Sequence, residues 1–173
     1  MSSYSIGIDP GVQGAICVLG GDTPRQVLAL VPMPTQKDGK GRDALDLVSL
    51  STLFSSWALL WDPLITIEQL QPMPMDKGGT LANYSRGRSL GVLEALATAH
   101  RLRYQLVRPQ VWQKEMLAGV EGTDTGARSI IAAQRLFPGV LLLRTERSRK
   151  LDDGLADALL IAEYGRRKGQ GER

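Results

Sequence analysis

Apolar and polar positions alternate in short β-branched runs near the N-terminus, then switch to helical spacing further along the chain. Tyr4-Ser5-Ile6-Gly7-Ile8-Asp9 predicts a strand that ends in a carboxylate, and Pro10-Gly11 breaks it. Gly14 to Leu19 predicts a second strand, Gly20-Gly21-Asp22 a tight turn, and Arg25 to Val31 a third strand. Their short connections make an antiparallel meander. Pro32 to Gly41 reads as a loop. Asp43 to Trp57 places Leu47, Leu50, Leu53, Phe54 and Trp57 at helical spacing. Pro63 to Glu68 is a β-branched strand that again ends in a carboxylate. Gln71 to Gly79, rich in Pro, Met and Gly, reads as a loop. Leu81 to Leu102 predicts a long helix and Tyr104 to Val107 a fifth strand. Pro109 opens a short helix to Leu117. Asp124 caps a helix that runs to Phe137, where Pro138-Gly139 stops it. Leu151 to Arg167 is the last helix.

This order predicts an α/β fold. Three hairpin strands followed by crossover helices and two more strands imply a mixed five-stranded sheet flanked by helices. The 173 residues fit one domain, 1–168, with a flexible basic tail at 169–173. The single cysteine, Cys17, excludes a disulfide framework or a cysteine zinc site within the chain. With no long apolar stretch and no leader-like N-terminus, the expected location is the cytoplasm of a bacterial or phage-infected cell, an organelle matrix staying open. The net charge of +3 is compatible with nucleic acid without requiring it. Its distribution adds more. Arg144, Arg147, Arg149 and Lys150 precede an acidic patch, and Arg166, Arg167, Lys168 and Arg173 close the chain. These cations read equally as phosphate contacts or as solvated helix ends.

The candidate chemistry is acidic: Asp9, Glu68, Asp153 and Asp157. Ligands gather beyond the carboxyl ends of parallel strands, so parallel first and fourth strands would put Asp9 beside Glu68. Each acid alone also reads as a polar residue at a strand exit. Asp153 and Asp157 lie one turn apart on one face of the last helix. Leu151, Leu155, Leu159 and Ala162 form an apolar stripe opposite, so the helix is expected to be largely buried. Two like charges on such a helix resist desolvation, a conflict that a divalent cation resolves. A preference for the helix N-terminus explains Asp153 but explains Asp157 less well. Four carboxylates without Cys or His suit Mg²⁺ or Mn²⁺ rather than zinc. Two such ions can activate water and stabilise the leaving oxygen in phosphodiester hydrolysis.

Ile6-Gly7-Ile8-Asp9-Pro10-Gly11, Gly14-Ala15, Ile67-Glu68-Gln69 and Asp153-Gly154-Leu155-Ala156-Asp157-Ala158-Leu159, in this order, resemble the RuvC Holliday junction resolvases of the RNase H-like superfamily. Lys150-Leu151-Asp152-Asp153-Gly154 and the run from Asp157 to Gly165 are most similar to the phage-type and chloroplast branch. The resemblance spans nearly the whole chain. It implies an RNase H-like fold and a homodimeric, divalent-metal-dependent crossover junction endodeoxyribonuclease acting on branched DNA, with no organic cofactor and no membrane. It matches Asp9, Glu68, Asp153 and Asp157 to the family's metal-binding acids. Many bacterial members space the last two acids by three residues, which here would need an acid at Gly154. Asp152 competes as a ligand, but it lies about 140° from Asp157 around the helix.

The resemblance and the basic clusters together nominate Gln71, Met73, Lys77, Arg86, Arg88, Lys114, Arg128, Arg147, Arg149 and Lys150 as DNA-contacting. The Met and Pro residues of the 71–79 segment suit wedging against unstacked bases, although an ordinary exposed loop has the same composition. Gly87 and Gly91 suit either a dimer contact or packing in the core. One departure stands out. Where relatives carry a lysine at the start of the penultimate helix, this chain has Gly126, and Lys114 and Arg128 are the candidates to supply that charge. The alternative function is a junction-binding or scaffolding protein with weak or lost cleavage. An actin-like kinase is disfavoured, because 173 residues cannot hold both of its lobes.

Overall fold

In a computed structural model, residues 4–20, 26–60, 63–72 and 75–171 are described. In chain order they form β1 (Ser5–Asp9), β2 (Ala15–Gly20), β3 (Gln26–Pro32), β4 (Thr35–Lys37), β5 (Asp43–Leu45), α1 (Leu47–Leu60), β6 (Leu64–Glu68), α2 (Met75–Ala99), β7 (Arg103–Val107), α3 (Pro109–Met116), α4 (Thr125–Leu136) and α5 (Asp153–Gly171). The main sheet has the order β3-β2-β1-β6-β7. β1, β2 and β3 pair antiparallel, whereas β6 runs parallel to both β1 and β7. This is the expected mixed sheet.

Two apolar layers sandwich it. Ile6, Ile8, Ile65 and Ile67 point to one side, where they bury Leu50, Phe54 and Trp57 of α1 with Leu93 and Ala97 of α2. On the other side, Ala15, Cys17 and Leu19 pack with α3, α4 and α5. Each fully buried Ile or Leu contributes roughly 1.5–3 kcal/mol. α5 is buried from Gly154 to Gly165 except at the half-buried Asp157, in line with the expectation of a largely buried helix. It lies directly on β1. A Cβ on Gly7 would come within 2.2 Å of the Ala158 carbonyl oxygen and the Ala162 nitrogen, so only glycine permits this approach. Among the described residues no helix is long and apolar enough to cross a membrane.

The structure departs from expectation in four places. Residues 32–45 contain a second, two-stranded sheet of β4 and β5. Asp38 builds its turn by accepting the backbone N–H groups of Lys40 and Arg42, at 2.8 and 2.9 Å. α1 consequently starts at Leu47, where Asp46 receives the N–H groups of Val48 and Ser49. α2 starts at Met75, inside the expected loop, and Gly79 breaks it with φ 63° and ψ 169°. α5 runs on to Gly171, past the expected end at Arg167. The turn residues Gly21 and Asp22 lie outside the described residues.

Candidate active site

Strand register brings the first two acids together. Ile8 pairs with Ile67 in the parallel β1–β6 ladder, so the next residues, Asp9 and Glu68, leave the sheet side by side. Side chains alternate across a sheet. Gly7 and Thr66 both face α5, the latter against Gly165, and Asp9 and Glu68 share that side. The first turn of α5 adds Asp153, and the second adds Asp157. All four acids line one cleft of about 410 Å³ with residues 10–14 of the β1–β2 turn and with Ala82, Ser85, Arg86 and Ser89 of α2.

Asp152 has a different task. Its Oδ1 accepts the Leu155 N–H at 2.9 Å and so caps α5. Arg144 grips both of its oxygens, with Nε 2.5 Å from Oδ2 and Nη2 3.1 Å from Oδ1. Arg144 Nη2 also donates to the Gln13 carbonyl. This guanidinium therefore ties the β1–β2 turn to the start of α5 and fixes both walls of the cleft. Burial works against charge on Asp152, yet the Arg144 and backbone hydrogen bonds hold it below the usual carboxylate range.

The four acids carry unresolved charge. Burial raises the Asp9 carboxyl well above its ordinary value, and Glu68, Asp157 and Asp153 push the same way, opposed by Arg144. Burial raises Glu68, against the Trp112 hydrogen bond and the Arg86 charge. Asp157 is pushed up to about 7, chiefly by burial; the nearby Ser129 hydroxyl pulls it down while Glu68, Asp153 and Asp152 raise it. Ser129 lies close enough to favour the charged form of Asp157. Even so, neither Ser129 Oγ nor Asp157 Oδ1 has a partner in hydrogen-bonding geometry, and both atoms are buried.

An all-oxygen set of mutually repelling carboxylates with one orphaned buried oxygen fits a hard divalent cation. Among the described residues, no three of these groups stand close enough together to form a ready-made metal cage. Like charges in one cleft repel, and a bound cation would relieve that repulsion.

Sequence reasoning missed Trp112. The Nε1–H of this fully buried side chain donates to Glu68 Oε1 at 2.9 Å, which fixes that carboxylate and leaves Oε2 toward other partners. A buried indole N–H needs an acceptor, but only the packing of α3 shows which one. Trp112→Phe keeps an aromatic ring and removes the donor. The expected cost is about 1–3 kcal/mol, read by urea unfolding, and it should shrink in a Glu68→Gln background.

The basic candidates divide. Arg86 lines the acid cleft, and Arg88 lines an adjoining groove with Tyr84 and Leu47. Arg147, Arg149 and Lys150 are exposed on the segment leading into α5, and Gln71 is exposed after β6. Lys114 is exposed on α3 and does not line the cleft. Arg128 is committed elsewhere, because it donates to the carbonyls of Val120 and Leu117 at 2.9 and 3.0 Å. It closes the end of α3. Met73 and the Lys77 side chain lie outside the described residues. In the C-terminal basic run, Arg166 and Arg167 pair with buried Glu163, and Lys168 pairs with Glu115, which is a structural role. Gly126 packs onto the site itself, since a Cβ there would lie 2.8 Å from Asp153 Oδ2.

A five-stranded mixed sheet in this order, with an acidic helix laid across β1, defines the RNase H-like fold. No family model matches the chain, and no curated protein matches it closely enough to count. Solved structures do. The chain resembles T. thermophilus RuvC in complex with a Holliday junction substrate, with 17% identity, 97% of this chain and 96% of that chain covered, and a TM-score of 0.61. It also resembles the yeast mitochondrial Holliday junction resolvase Ydc2, with 15% identity, 95% of this chain and 78% of that chain covered, and a TM-score of 0.62. The fold is thus that of the RuvC-like resolvases.

Proposed function

We propose that this chain is a structure-selective endonuclease that resolves four-way DNA junctions by divalent-metal-dependent phosphodiester hydrolysis. The observation that carries the reading is the convergence of Asp9, Glu68, Asp153 and Asp157 on one cleft, with a buried Asp157 oxygen that has no partner. The two neighbours above support the substrate, one solved with a Holliday junction and the other a Holliday junction resolvase. The likeness of the α5 motif to the phage and chloroplast branch is part of the same proposal.

Asp9, Glu68, Asp153 and Asp157 would hold Mg²⁺ or Mn²⁺, two ions per site, and these would supply Lewis-acid stabilisation of attacking and leaving oxygens. The chain's own contribution is positioning. β1 and β6 set two carboxylates side by side, Trp112 orients Glu68, and the Arg144–Asp152 pair anchors α5. Exposed Arg147, Arg149 and Lys150, on the segment leading into α5, offer phosphate contacts.

We also propose a homodimer through α2. Tyr84, Gly87 and Gly91 fall on one exposed stripe, and neither glycine has anything within 4 Å of a built Cβ, which argues against packing within the chain's own core. Two-fold symmetry would set two sites on two strands of a junction. The deciding experiment incubates a labelled four-way junction with protein and Mg²⁺ and reads strand nicks alongside a gel shift. Paired nicks support the endonuclease. A shift without nicks selects the junction-binding alternative.

Gly126→Lys tests the missing charge. From sequence alone this change would be expected to speed nicking. The structure predicts instead that it raises the Mg²⁺ concentration for half-maximal nicking, because the new Cβ displaces the Asp153 carboxylate. A Mg²⁺ titration of nicking rates distinguishes the two.

A further inference from the structure

Four carboxylates at the floor of a cleft repel the phosphate that a nuclease must bring to them. At ~4 Å two unit charges interact by several kcal/mol near a protein surface. Bound divalent ions would relieve much of that repulsion, and a positive side chain lining the cleft would add a direct grip on the phosphate. The α5 wall offers acids, and Arg144 beside its first turn is bound to Asp152 and the Gln13 carbonyl. The α4 wall presents Gly126, and Arg128 caps α3. Arg86 is the one cation among the described residues that line the cleft.

It arrives from the opposite layer. α2 packs on the Ile6 and Ile8 side of the sheet and α5 on the Gly7 side, so Arg86 faces the α5 acids across the strand ends. Its charge favours ionised Glu68, which places the guanidinium within electrostatic reach of the floor. Ala82, Ser85 and Ser89 flank it at helical spacing, small side chains that leave room for a sugar–phosphate strand. A planar guanidinium matches two phosphate oxygens at once.

We propose that Arg86 grips the scissile phosphate and holds it over the four carboxylates, a role that rests on the endonuclease reading. Arg86→Ala, Arg86→Gln and Arg86→Lys test it in the full chain, with thermal melts to confirm folding. The first readout needs no cleavage: junction affinity in EDTA, titrated with salt. Arg86→Ala and Arg86→Gln should flatten the log–log salt dependence by about one unit, and Arg86→Lys should not. The second is the single-turnover nicking rate in Mg²⁺ at saturating protein. It should fall by about 10²–10³-fold in the uncharged variants and partly recover with lysine. An unchanged salt slope, or a rate defect cured by more protein, overturns the assignment. If wild-type protein binds junctions but never nicks them, the endonuclease reading fails while the salt slope still judges the phosphate contact. Should Arg86→Ala unfold, the Gln and Lys pair carries both comparisons.

Discussion

Asp157→Asn is expected to abolish nicking, with a single-turnover loss of roughly 10³-fold or more, and to stabilise the ion-free protein at pH 8. The two effects share one cause. Asp157 sits where burial pushes its pKa up to about 7, with Glu68, Asp153 and Asp152 adding to the rise. Its native form holds a proton more tightly than the unfolded chain does, so folding takes up a proton between the unfolded value near 4 and the folded value. Stability is therefore greatest below the lower value and is lost as pH rises through the upper one. At pH 8 the ion-free protein carries the full penalty of a charged, buried carboxylate, on the order of 4 kcal/mol. Asparagine removes that charge at nearly constant shape. Melts in EDTA at pH 5 and pH 8 should show a large destabilisation of wild type at the higher pH and a smaller one for Asp157→Asn, in which buried Asp9 and Glu68 still become charged. Adding Mg²⁺ should rescue wild type at pH 8 and leave the variant nearly unmoved. Full Mg²⁺-dependent nicking by Asp157→Asn would remove Asp157 from the site.

The parts of this site that sequence discloses are those set by local periodicity. Alternation in Ile6-Gly7-Ile8-Asp9 and Ile65-Thr66-Ile67-Glu68 already assigns the isoleucines to one layer and the acids to the other. The i,i+4 spacing of Asp153 and Asp157 likewise survives into α5. What periodicity cannot disclose is tertiary commitment. Arg128 looks like any basic residue on a helix, and only the path of the chain after α3 turns it toward two carbonyls. Trp112 looks like core, and it is core, but its N–H finds Glu68 across 44 positions of sequence. The β4–β5 hairpin escaped because its strands are three residues each, β4 is fully exposed and only Leu45 of β5 is buried, so no apolar alternation marks them. Asp38, which organises its turn, gives the only cue, a side chain suited to collecting nearby backbone N–H groups.

Gly7→Ala is expected to cost about 3 kcal/mol or more for a single added methyl. The added Cβ would lie 2.2 Å from the Ala158 carbonyl oxygen and the Ala162 nitrogen, and 2.7 Å from the Ala162 Cα. All three are backbone atoms of α5, so no side chain can swing aside to make room. Relief requires the helix to lift from β1. That movement would break the hydrogen bond from Ser5 Oγ to the Ala162 carbonyl, 2.8 Å long, and would carry Asp157 away from Asp9. The same contact that stabilises the sandwich therefore sets the distance between acids on separate elements. For a domain of this length a loss of that size lowers Tm by about 6–12 °C. The variant should also need more Mg²⁺ to nick a junction, even at temperatures where it stays folded. Calorimetry beside a Mg²⁺ titration separates the two consequences. A normal Tm would show that α5 rests further from β1 than these distances state. A lowered Tm with unchanged Mg²⁺ dependence would show that the acids are positioned by the Arg144–Asp152 anchor alone.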